Sequence, residues 1–302
     1  MLTRRQAIAA YATAVFLSLP AFAAQAQSKI KVIASFSILG DLVRNVGGDR
    51  VEVETLVGPN GNAHVYAPSP ADARKVADAK AVFVNAMGFE GWLDRLVKAS
   101  GTKAKIVVTT KGIAVRERGG GRDHDHGGTD PHAWQSVANA KIYVDNIRDG
   151  LIAIDPDGKA AYEANAAAYR RKLDDLEHEV KDAIAKIPAE RRSLITSHDA
   201  FGYFGGAYGI AFIAPQGVST EAEASAKDVA AIIRQIRGRK ITAVFMENVT
   251  DPRLLKQIAN ETGAKVGGTL YSDALTDERG DAPTYIDMIR HNLKQLAQAL
   301  SS

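Results

Sequence analysis

DGKAAYEANAAAYRRKLDDLEHEVKDAIAKI, residues 157–187, divides the chain in two. Tyr162, Tyr169, Leu173, Leu176, Val180 and Ile184 recur at helical spacing, on a background of Ala, Glu, Lys and Arg, and glycine is absent from the middle. That pattern predicts one long amphipathic helix. About 28 residues at ~1.5 Å each reach roughly 42 Å, enough to cross a whole domain. Pro188 sits near its end.

On both sides of this helix, short β-rich runs alternate with helical patterns. Before it, Lys29–Phe36, Val51–Val57, Ala81–Asn85 and Lys105–Thr110 read as strands. Leu39–Val46, Pro70–Ala79 and Glu90–Ala99 read as the helices between them. After it, Ser193–Ser197, Ile210–Ala214, Ile241–Glu247 and Lys265–Leu270 read as strands, and Tyr285–Leu300 as a closing helix. This alternation predicts an α/β fold of two lobes, each a parallel sheet flanked by helices, joined by the long rigid helix. The expected division is a leader at 1–27, a first lobe at 28–150, the linking helix at 151–189 and a second lobe at 190–302. Residues 117–128 (ERGGGRDHDHGG) have no hydrophobic period and are expected to form a flexible surface loop.

Arg4 and Arg5, the apolar run Ala7–Ala24 and the small residues Ala24 and Ala26 make a cleavable secretory signal, which predicts a periplasmic protein. Without those two arginines the formal charge falls from +3 to about +1. With no clustered basic stripe bearing aromatics, nucleic acid is not an expected partner. The 302 residues contain no cysteine. Disulfides and thiolate metal sites are thereby excluded, and the leader lacks a lipobox cysteine, so the expectation is a protein that is not lipid-anchored.

Any transition-metal site must then use His, Asp and Glu. His64, His198 and Asp273 follow predicted strands, and His132 follows the loose loop. Ligands of open α/β sheets collect at the carboxyl edges of strands. Each lobe supplies two of these groups, so one ion could bridge the interlobe cleft. Three imidazoles and one carboxylate suit zinc(II), whereas manganese or calcium is better served by more oxygen donors. Spacing alone leaves open that each is an ordinary hydrogen-bonded or surface residue.

Several motifs narrow the choice: Gly61-Asn62-Ala63-His64-Val65-Tyr66-Ala67-Pro68-Ser69-Pro70, Asp130-Pro131-His132-Ala133-Trp134, Ser197-His198-Asp199-Ala200-Phe201-Gly202-Tyr203-Phe204, Tyr271-Ser272-Asp273-Ala274-Leu275 and Thr284-Tyr285-Ile286-Asp287-Met288. With these, essentially the whole chain after the leader resembles the ZnuA-like (cluster A-I, or cluster 9) metal-binding proteins of ABC importers. Among its subgroups it looks most like the AztC-type zinc proteins. The resemblance implies that His64, His132, His198 and Asp273 are the metal ligands. It also implies a cognate inner-membrane permease as partner, and a monomer that is no enzyme. Manganese-handling members commonly have Glu where this chain has His198. Asn62 departs from the acidic residue usual in the family, and Gln135-Ser136-Val137 also departs from its pattern.

Asp123, His124, Asp125 and His126 match the place where such proteins often carry a His- and Asp-rich loop. They are read as an accessory metal-loading site, served by a periplasmic zinc metallochaperone, or else as a solvated loop. Glu247, at the end of a predicted strand, is either a carboxylate supporting a ligand imidazole or a cleft-lining acid. His178 and His291 read as exposed helix positions, and Trp92 and Trp134 as packing residues. The alternatives to zinc delivery are a zinc hydrolase with an open metal position, a manganese- or other divalent-metal-binding member of the same family, and an adhesin.

Overall fold

The computed structural model describes residues 28–117, 128–239, 241 and 243–301. The leader at 1–27 and Asp123, His124, Asp125 and His126 lie outside the described residues. The first lobe runs β1 (Ile30–Phe36), α1 (Ser37–Gly47), β2 (Val51–Val57), α2 (Pro70–Asp78), β3 (Ala81–Val84), α3 (Leu93–Ser100), β4 (Lys105–Val108) and α4 (Val137–Ile154). α5 (Lys159–Ala185) follows as the long helix. The second lobe runs β5 (Ser193–Ile195), α6 (Gly202–Tyr208), β6 (Ala211–Ile213), α7 (Ala226–Arg239), β7 (Ala243–Glu247), α8 (Arg253–Thr262), β8 (Lys265–Leu270) and α9 (Tyr285–Leu300).

The strand order is β2-β1-β3-β4 in one sheet and β6-β5-β7-β8 in the other, with every described pairing parallel. Parallel strands need helical crossovers that cover both faces, and so read as near-continuous apolar runs. The central β3 (AVFV) is buried at every position.

α5 presents Tyr162, Ala166, Tyr169, Leu173, Leu176, Val180 and Ile184 as one buried stripe. That stripe packs on α1 and α4 of the first lobe and on α9 and α6 of the second. One continuous hydrophobic core therefore passes through both lobes. A smaller cluster of Ile195, Ile232, Ile236, Val244, Leu255 and Ile258 seats α7 and α8 on the second sheet.

The sequence reading assigned no element to the eighteen residues of α4, and the expected lobe boundary at residue 150 falls inside it. The signal was present: Val137, Ala140, Val144, Ile147 and Leu151 are buried at helical spacing, and the Ser136 hydroxyl caps Asn139 N at 3.4 Å. Among the described residues no helix is long and apolar enough to cross a membrane.

Leu173 is fully buried in the stripe shared by both lobes. Replacing it with alanine is expected to cost about 2–5 kcal/mol of unfolding free energy, as for other buried leucines. Urea denaturation of the full chain measures this, and a loss near zero would show that α5 is not part of a shared core.

Candidate metal centre

His64, His132, His198 and Asp273 come together at the seam between the lobes. Each offers one donor atom, and these atoms lie within 4.8 Å of one another. His64 is 4% exposed and the other three are fully buried. His64 Nε2 lies 3.3 Å from His132 Nε2. Asp273 Oδ2 is 3.4 Å from His64 Nε2 and 3.1 Å from His198 Nε2, and Oδ1 is 3.5 Å from His132 Nε2. Neither oxygen of Asp273 has a hydrogen-bond partner. Buried acceptors facing ring nitrogens, with nothing yet satisfying them, are what a shared cation would complete.

The loops that carry these groups are tied down individually. His64 sits in the segment after β2; its N–H donates to Asn62 Oδ1 at 3.0 Å, and Trp92 Nε1 holds the preceding Ala63 carbonyl at 2.7 Å. Gly61 is required there, because a Cβ would come within 2.7 Å of the Val57 side chain. His132 is fixed twice by Asp130 Oδ1, at its backbone N–H (3.0 Å) and at ring Nδ1 (2.9 Å). His198 follows β5, and its Nδ1 lies 2.6 Å from Glu247 Oε2. Glu247 Oε1 accepts the Ser197 and His198 N–H groups at 2.7 and 3.0 Å. Asp273 follows β8. The neighbouring Ser272 carbonyl accepts Trp134 Nε1 at 2.9 Å and Gln135 Nε2 at 2.7 Å from the other lobe. A carboxylate on Nδ1 fixes the tautomer that leaves Nε2 free to coordinate.

An apolar wall backs the site. The Phe89 ring stands 4.7 Å from His64 and 4.8 Å from Trp134, and Trp134 stands 5.3 Å from His132. Phe89 follows three left-handed residues, Ala86, Met87 and Gly88. The Glu90 carboxylate holds that turn, accepting Asn85 N at 2.8 Å, Ala86 N at 2.9 Å and the Ser35 hydroxyl at 2.6 Å. Burial raises the pKa of Glu90.

Burial opposes charge on His198, but the Glu247 and Asp273 carboxylates outweigh it and hold the imidazole well above its usual range. Burial likewise opposes charge on Asp273, and His198 and His132 overcome it, so that its carboxyl lies well below the usual range. His64 is lowered, chiefly by burial. A cation entering here displaces protons from imidazole.

Glu247 therefore meets His198 as the sequence allowed, while Asp130 and Glu90 were missed. Asp130 was legible two residues before His132; Glu90 acts through a turn that carries no local signature. His178 is exposed. His291 departs from its expected exposure: it is partly buried, 3.1 Å from the Thr269 carbonyl and against the Tyr271 ring. Trp92 and Trp134 are buried packing residues that also brace the site loops.

Two parallel α/β lobes on one long helix, with His and Asp donors buried at their seam, define a metal-binding solute receptor of the ABC-importer class. The chain belongs to the family described as zinc-uptake complex component A, periplasmic, whose sequence profile matches residues 32–299. It is 35% identical over 274 residues to the manganese-binding lipoprotein MntA of Halalkalibacterium halodurans, covering 90% of this chain and 89% of that one. It is 34% identical over 300 residues to the iron-binding protein YfeA of Yersinia pestis, covering 97% and 96%. The solved periplasmic zinc-binding protein TroA of Treponema pallidum superposes with a TM-score of 0.85 at 28% identity, covering 91% of this chain and all of that one. The protein is thus an extracytoplasmic, divalent-metal-binding substrate-binding protein of a family that works with ABC permeases and not as enzymes.

The expectation that the chain is not lipid-anchored is overturned. MntA is named a lipoprotein, as is PsaA of Streptococcus pneumoniae, 32% identical over 279 residues and covering 90% of this chain and 89% of its own. The missing cysteine speaks to one attachment chemistry in one leader, not to how this class is kept at the membrane.

Replacing Glu247 with glutamine puts an amide N–H where Nδ1–H of His198 needs an acceptor. Divalent-metal affinity, measured by chelator competition, is expected to fall about 10- to 100-fold. An unchanged affinity would remove Glu247 from this role.

Proposed function

We propose that this protein binds zinc(II) through His64, His132, His198 and Asp273 and delivers it to a cognate ABC permease in the inner membrane, in the manner of the AztC-type zinc proteins. The observation that carries this reading is the convergence of three imidazole nitrogens and one carboxylate at a buried point. Donors ~2.0–2.1 Å from a tetrahedral zinc lie about 3.3 Å from one another. With Asp273 Oδ2 as the carboxylate donor, the contacts stated above are 3.1, 3.3 and 3.4 Å, in a set whose members all lie within 4.8 Å of one another, which supports a single shared ion. Four protein donors leave no coordination position for the water of a hydrolase, which disfavours catalysis.

Manganese is the second reading. Both Asp273 oxygens face the imidazoles, so a two-oxygen grip with higher coordination number is open to the site. MntA and PsaA are named for that metal. Against it stand the three nitrogen donors and the single carboxylate.

Bulk competition in a tube does not separate these readings, because zinc outbinds manganese at most N/O sites whatever the physiological cargo. The discriminating measurement is physiological. A strain lacking this gene should lose growth and zinc uptake in zinc-depleted medium and recover with the wild-type chain but not with His198→Ala. Loss of manganese uptake with zinc uptake intact would overturn the zinc assignment.

The purified chain should hold one zinc with nanomolar or tighter affinity, about −12 kcal/mol or more. We assign Asp123, His124, Asp125 and His126 to an accessory role, gathering zinc or accepting it from a periplasmic metallochaperone for transfer to a monomeric receptor. Deleting residues 123–126 should leave one tight zinc per chain, by elemental analysis, and slow only loading from a donor. Loss of the tight zinc would refute this division of labour.

A further inference from the structure

A cavity of about 470 Å³ opens beside the seam, lined in part by Asn62, Ser197, Gln216, Thr220, Thr250 and Asp251. It reaches to within two residues of His64 on one lobe and one residue of His198 on the other. Asn62 spans it. Its Nδ2 donates to Thr220 Oγ1 at 2.9 Å and to the Val249 carbonyl at 3.1 Å, both on the second lobe. Its Oδ1 accepts the His64 N–H at 3.0 Å on the first. The amide orientation is fixed, because a carbonyl only accepts and a backbone N–H only donates.

We propose that Asn62 is a positioning residue that sets how fast the metal leaves. Its amide latches the loop bearing His64 to the loops after β6 and β7, closing the path between the metal centre and the cavity. Only an amide fits this task. A carboxylate, the side chain usual here in the family, could still accept from His64 N–H, but it would meet the Val249 carbonyl oxygen with no proton to share. The hydrogen bonds holding the latch are ordinary neutral ones, part-buried at a cavity edge, so they can break on each delivery cycle while the fully buried bonds of Asp130 and Glu247 persist.

The proposal rests on His64 binding the cation, and the test separates the two. The full chain is loaded with zinc(II) and chased with excess chelator in a stopped-flow instrument; association is measured separately. Asn62→Asp, isosteric and still able to accept from His64 N–H and from the Thr220 hydroxyl, is expected to release zinc about tenfold faster, the effect of losing the bond to the Val249 carbonyl and setting a carboxylate against it. Its association rate should stay within twofold. Thr220→Val adds no charge and should speed release about threefold, the effect of losing one ordinary hydrogen bond. Equal release from wild type and Thr220→Val, or a change carried by association instead, would each overturn the latch. A wild-type chain that binds no zinc(II) would overturn the site assignment along with it.

Discussion

A carboxylate buried beside three imidazoles is unfavourable unless its charge is matched, and Asp273 is fully buried with both oxygens lacking hydrogen-bond partners. Much of the seam is organised around that constraint. His198 is braced from behind by Glu247, His132 is oriented by Asp130, and Phe89 with Trp134 walls the point off. A divalent cation resolves the constraint by setting its own charge against the Asp273 carboxylate. In so dry a setting each charge interaction is worth more than it would be at the surface.

Holding four donors from two lobes in register demands a frame that does not flex. α5 supplies it, since one buried stripe packs on helices of both lobes and the apolar core is continuous across the seam. The polar contacts that cross the seam reinforce it: Leu275 N to Ser37 Oγ at 3.0 Å, Tyr285 N to Asp41 Oδ2 at 2.9 Å and the Tyr285 hydroxyl to the Trp134 carbonyl at 2.7 Å. A wide hinge motion would have to break this core. Adjustment on loading and release therefore falls to the loops after the strands, which are held by a few hydrogen bonds each and not by the shared core.

The architecture was largely legible because it depends on local periodicity. The stripe of α5 and the apolar strand runs can be read within a few residues of themselves, and the expected strand ends lie within a residue or two of those found. α4 is equally periodic, with Val137, Ala140, Val144, Ile147 and Leu151 buried at helical spacing. The site was another matter. His64 and Asp273 are about two hundred residues apart, and spacing alone does not separate a ligand from an ordinary histidine; the motifs of the family are what single out the four residues that the fold brings together. Contacts made only by folding stayed out of reach, among them Glu90 on the turn behind Phe89 and Asn62 on Thr220, separated by 158 positions.

The shared strand order has a structural corollary. If β2-β1-β3-β4 is laid over β6-β5-β7-β8, the segment leaving β2 is the counterpart of the segment leaving β6. His64 and Asn62 ride on the first; Thr220 rides on the second and contributes a hydroxyl in place of a donor to the quartet. Four segments of a doubled scaffold thus meet at the quartet, and a fifth fastens one of them. That fifth segment supplies none of the four clustered side chains, so its length and charge bear on how the seam is fastened rather than on the cluster itself.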